Sequence, residues 1–153
     1  MRTGLIQQDA RDDFDRARRQ ATCAKLAGLL RGRQPSRNRL PVLGEVVIAG
    51  GAGTATEAMV PIDQIVGTVE PTRCFDRRFR PTSELPRSRF ERVAAELLSG
   101  RGMDPVELYQ CGDSYYVLDG HHRIAVARAL RQQSIWATIT PVRLNQPSSP
   151  TAG

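Results

Sequence analysis

Two short runs rich in strand formers, Val106–Cys111 and Ser114–Leu118, are separated only by Gly112-Asp113. The second run meets Asp119-Gly120 and then His121 with no linker. A Gly-Asp pair between such runs predicts a tight antiparallel hairpin. The residues from His121 or His122 to Arg131 place Ile124, Val126, Ala127 and Leu130 at helical spacing, which predicts a helix with those side chains buried. A hairpin that feeds a helix through one glycine leaves the chain little freedom. A last strand is predicted over Ser134–Val142, where Ile135, Ala137 and Ile139 alternate inward.

Upstream, Phe14, Ala17, Ala21 and Ala24 recur at helical spacing and Leu26, Leu29 and Leu30 widen the apolar side. A helix is predicted over residues 9–31, capped by Asp9 and stopped by Gly32 and Pro35. The boundary of the compact domain is expected near Leu40. Val46-Val47-Ile48 reads as a strand. Gly50-Gly51-Ala52-Gly53 lacks the residues of a phosphate loop and reads as a flexible turn. Met59 to Val66 reads as a strand entering a turn, and Pro71, Pro81 and Pro86 interrupt regular structure after it. Ser88 is the expected cap of a helix over Arg89–Leu98, with Glu91 completing an approximate capping box and Phe90, Val93, Ala94, Leu97 and Leu98 as its stripe. Helices and strands mix without strict alternation, so the expected class is α+β: a small mixed sheet with packed helices, preceded by an N-terminal helix. Residues 1–40 form the basic helix and linker, 41–144 the domain, and 145–153 a disordered tail.

Composition narrows the setting. The 153 residues are 40% hydrophobic, enough for one core. No apolar run is as long as a membrane span, and the N-terminus has no hydrophobic signal region. Cys23, Cys74 and Cys111 are scattered and form neither a disulfide framework nor a zinc motif, which fits a reducing cytoplasm. Ten of the 22 Lys/Arg but only four of the 16 Asp/Glu lie in residues 1–40, so the net charge of +6 resides there. Such a segment can meet nucleic acid or anionic lipid. It can equally be a solvated helix in an arginine-rich chain, since Lys25 is the sole lysine.

The chemistry concentrates at Asp119-Gly120-His121-His122-Arg123, which holds both histidines of the chain. A glycine at a strand-to-helix junction lets a ligand approach the backbone. The first turn of a helix presents unpaired N–H groups and the positive end of its dipole, a ready anion site. His122 and Arg123 could add donors there, and Asp119 could hold magnesium or polarise a hydroxyl. The same residues also suit an ordinary helix start, with Arg123 paired to a nearby carboxylate. No metal site built from protein ligands alone is expected, because adjacent helical residues diverge and no further ligand has the spacing.

The stretch Tyr116-Val117-Leu118-Asp119-Gly120-His121-His122-Arg123-Ile124-Ala125-Val126-Ala127 resembles the phosphate-binding signature of the ParB/sulfiredoxin superfamily. Val60-Pro61-Ile62-Asp63-Gln64-Ile65 resembles the first strand of the ParB N-terminal domain, and the order of elements over residues 59–142 is similar. The resemblance implies a nucleoside di- or triphosphate with magnesium as ligand, with phosphate at Gly120, His121, His122 and Arg123. It also implies a loop bearing Arg77, Arg78 and Arg80 that faces the nucleotide. His121 stands where sulfiredoxins carry their catalytic cysteine, so that chemistry is not expected. The helix-turn-helix and dimerisation segment of partition-type ParB proteins have no counterpart in this sequence, so their site-specific DNA binding does not carry over. Free-serine kinases of the superfamily share Asp-Gly-His-His-Arg, and Glu70 takes a place similar to their acidic residue.

Three functions are expected in turn. The leading one is a nucleotide-binding module of the CTP/ATP type. The second is a small kinase with Glu70 or Asp119 as base. The third is non-specific nucleic-acid binding, or a nuclease, working through the basic residues 1–40. A homodimer is a further option for partners.

Overall fold

The computed structural model describes residues 2–48 and 55–145. The Gly50–Gly53 turn and the 146–153 stretch of the expected tail lie outside them. The class is α+β, with three helices on a mixed six-stranded sheet. The strands are β1 (Val46–Ile48), β2 (Thr56–Pro61), β3 (Ile65–Thr68), β4 (Val106–Cys111), β5 (Ser114–Asp119) and β6 (Ser134–Leu144). The helices are α1 (Arg2–Leu30), α2 (Arg87–Leu98) and α3 (His121–Ala129).

The hairpin β4–β5 forms as the Gly-Asp turn dictates, with Cys111 opposite Ser114 and Gly112 at φ 62°. β5 continues outward to a parallel partner, β3, and β4 lies parallel to β6. β6 is the hub. It pairs antiparallel with β2 over residues 134–139 and with β1 over 142–144. The second pairing explains why β6 runs to Leu144 rather than stopping at Val142. The stretch read as one strand over 59–66 is interrupted. Pro61 ends β2, Ile62–Gln64 form a tight helical turn with Ile62 buried, and β3 then changes direction to reach β5.

α1 begins at Arg2, well before the expected start, and Asp9 is an exposed residue in its interior rather than its cap. Packing accounts for the extension, since Ile6 and Ala10 face Ala95 and Leu98 of α2 across a shared groove. The expected stripe is correct in its first part: Phe14, Ala17 and Ala21 are buried. Phe14 is fully buried, edge-on to Phe90 at 5.3 Å between ring centres. Ala10, Phe14 and Leu40 belong to the same core as Val106, Ile124 and Ile139. Through Ala10, Phe14 and Leu40 this segment contributes side chains to the domain's core.

α2 begins at Arg87, and no side chain caps it; Ser88 lies within its first turn. Arg87 fixes this end instead. Its guanidinium sits 4.3 Å above the Phe14 ring, reaches Asp15 at 2.5 Å and Glu91 at 3.1 Å, and also bonds Glu84. The residue that tethers the helix start is thus the one that joins α2 to α1. Phe90 and Ala94 are buried as the stripe predicts, whereas Leu98 is exposed. The segment after β3 has little regular structure, as its prolines imply, but it is organised by Asp76. This buried carboxylate accepts from the Arg78 and Arg80 N–H groups and from Arg80 Nε at 2.8 Å.

Candidate functional site

β5 ends, Gly120 turns the chain, and α3 starts. Gly120 has φ 115° and ψ 23°, and a side chain there would put its Cβ 2.7 Å from Val106 Cγ1. Only glycine meets both demands. No side chain caps α3, and its first backbone bond runs from Ile124 N–H to the Gly120 carbonyl. The N–H groups of His121, His122 and Arg123 precede that bond, and they carry the positive end of the helix dipole.

The His121 side chain is held by a residue that the sequence did not single out. Thr68, fully buried at the end of β3, places Oγ1 2.7 Å from His121 Nε2. The same hydroxyl lies 2.7 Å from the Glu70 carbonyl oxygen and 3.4 Å from that of Val117. A carbonyl can only accept, so the hydroxyl proton goes to Glu70 and His121 Nε2–H donates to Thr68. The His121 Nδ1 takes no part in this network. Burial lowers its pKa, opposed by the charges of Asp119 and Glu70. Both candidate carboxylates therefore act electrostatically on His121, yet each is exposed.

His122 lies edge-on to Phe75 at 5.3 Å. Burial first, and then the nearby charges of Arg89, His121 and Arg92, push it down to about 4, with Asp119 acting in the opposite sense. A histidine that refuses its proton in the folded state stabilises the fold fully only above its unfolded pKa of about 6.5. That contribution is lost as the pH falls from about 6.5 toward 4. For this partly exposed group we expect a loss of about 1–2 kcal/mol. Urea unfolding at pH 7 and pH 4.5 checks it: His122→Gln should lose less stability on acidification than the unaltered chain, by that amount.

Arg123 points elsewhere. Its Nη1 donates to the Asp104 carbonyl at 3.1 Å and the Pro105 carbonyl at 2.8 Å, and its Nη2 reaches Asp119 Oδ2 at 3.2 Å. It ties the 104–105 turn to the helix start, which is the ordinary pairing the sequence also allowed. Asp119 and Arg123 border a cavity of about 480 Å³ shared with Glu57, Glu96, Asp104 and Glu107, surroundings that repel anions. The expected constellation is thus divided. Gly120, His121 and His122 form one side of the junction with Thr68 and Phe75, while Asp119 and Arg123 open onto an acidic one.

The arginine loop is divided from the helix start as well. Arg80 is engaged by Asp76, and Arg78 and Arg80 act on Arg128, in the last turn of α3. At 1.5 Å per residue, Arg128 is about 9 Å along the helix axis from His122. Phe75, at the other end of the loop, lies against the histidines, stacked parallel to His121 at 6.3 Å and edge-on to His122. Arg77 borders a groove beside α1. No cluster of three metal-ligating side chains exists among the described residues. Among the described residues no helix is long and apolar enough to cross a membrane. No family model matches the chain, and no curated protein matches it.

Proposed function

We propose that the chain is a nucleotide-binding module whose α3 start receives the phosphates of a nucleoside di- or triphosphate. The observation that carries this reading is the uncapped first turn of α3, opened by a glycine at φ 115°. The resemblance of Asp119–Arg123 to the ParB/sulfiredoxin signature supports the choice of a nucleotide. Backbone N–H groups do most of the binding, because burial disfavours the charged form of both imidazoles and Arg80 and Arg123 already have partners. Magnesium arrives with the nucleotide, held by its phosphates.

The test is calorimetric titration with ATP, ADP, CTP and GTP in magnesium, combined with ¹⁵N chemical-shift mapping. One of these nucleotides should bind, and the amides of residues 121–123 should shift and saturate with the calorimetric Kd. Absence of heat with all four, or shifts confined to other parts of the chain, would refute the proposal. Arg123→Gln should cost about 1–2 kcal/mol of stability, the scale of its lost hydrogen bonds, while affinity changes by less than about threefold. The kinase reading makes a different demand: a base aligned on an acceptor hydroxyl. Glu70 is exposed and accepts Thr68 through its backbone, not its carboxylate. Nucleotide incubated with serine should therefore stay intact, and multiple turnovers abolished by Glu70→Gln would establish the kinase instead.

A further inference from the structure

The second half of α1 runs beyond the part of the helix that enters the core. Leu26, Leu29 and Leu30 succeed one another at helical spacing, and all three are exposed; across from them Leu85 is 84% exposed. Leu26, Leu29 and Leu85 border a groove of about 770 Å³ between α1 and the 72–85 segment. Lys25, Arg39 and Arg73 stand on its rim. A second groove, of about 320 Å³, adjoins it through Lys25, Leu29 and Asn38 and adds Arg33, Arg37 and Arg77. None of these six cations is in an ion pair among the described residues. The only carboxylate on either groove is Asp76, which is buried and held by Arg80.

We propose that this groove docks an acidic amphipathic helix of a partner protein. Exposed leucines in a concavity need an apolar stripe to cover them, and a helix laid in a groove supplies one through residues at i, i+3, i+4 and i+7. Six cations without counter-charge select acidic flanks and speed the encounter. Nucleic acid suits the charge but not the floor. Binding of bases uses exposed aromatic faces, and the sole aromatic side chain on either groove, Phe75, is buried. A membrane surface is flat and does not enter a concavity. The groove shares the buried Phe75 with the α3 start but none of the residues altered in the test below, so its outcome is distinguishable from that of the nucleotide reading.

Fluorescence anisotropy with a labelled synthetic peptide tests it. The peptide has about 16 residues, with leucine at i, i+3, i+4, i+7 and i+11 and glutamate on the remaining face. A scrambled peptide of the same composition and a single-stranded DNA of similar length serve as competitors. The amphipathic peptide should bind with Kd below about 100 μM, and the scrambled one at least tenfold more weakly. Leu26→Asp with Leu29→Asp, and separately Arg73→Glu, should each weaken binding by at least about tenfold without lowering the melting temperature, since these side chains lie on the surface. Three results would overturn the proposal: no binding below about 1 mM, equal affinity for the scrambled peptide, or tighter binding of the DNA that the leucine changes leave intact.

Discussion

Gly120→Ala is expected to lower the unfolding free energy by about 3 kcal/mol or more. Two costs combine. An L-residue at φ 115° is strained by about 1–3 kcal/mol. The new methyl would also meet Val106 Cγ1 at 2.7 Å and Val106 Cβ at 2.9 Å. Val106 cannot give way, because it is fully buried on a strand paired on both sides. Denaturant unfolding of Gly120→Ala, Val106→Ala and the double variant separates the costs. Val106→Ala removes Cγ1 but keeps Cβ, so the double variant should recover only the Cγ1 part of the steric cost, a favourable coupling of about 1 kcal/mol, while the Cβ contact and the backbone strain persist. Purely additive losses would mean that the contact with Val106 Cγ1 contributes nothing to the requirement for glycine.

Phe14→Ala should cost about 3–5 kcal/mol, as truncation of a fully buried aromatic does. It would also remove the edge-on contact with Phe90 and the ring beneath the Arg87 guanidinium. A solvated N-terminal arm would tolerate the same change within about 0.5 kcal/mol. Urea unfolding therefore decides whether α1 belongs to the cooperative unit. Leu30→Ala, on an exposed residue of the same helix, is the matched control.

The elements legible from sequence are those set by local rules. The Gly112-Asp113 hairpin, the α3 helix behind Gly120 and the alternation along β6 each depend on residues close in sequence, and they formed as read except that α3 stops at Ala129, before the expected Arg131. The helix caps did not. Asp9 and Ser88 obey capping statistics, but contacts between α1 and α2 set where both helices begin. The site was legible as a junction and not as a geometry. Thr68 meets His121 across 53 positions of sequence, and nothing in Val66-Gly67-Thr68 marks that threonine. Asp76 drew no attention among the arginines around it, although it is the residue that engages Arg80. Arginine type and spacing suggested phosphate. The carbonyls of Asp104 and Pro105, which occupy Arg123, belong to backbone whose position depends on tertiary structure.

The hub position of β6 has a consequence for the order in which the molecule assembles. Among the described residues β1 and β2 have no sheet partner except β6, and residues 62–133 intervene before that strand begins. During synthesis at roughly 5–20 residues per second, both strands wait several seconds with unpaired edges. Val47, Ile48 and Met59 are apolar and stay exposed even in the finished sheet, so this interval is when the chain is most open to pairing with a neighbour. A late-arriving strand that closes three partnerships at once also favours all-or-none completion, because neither β1 nor β2 gains its ladder until residues 134–144 are in place.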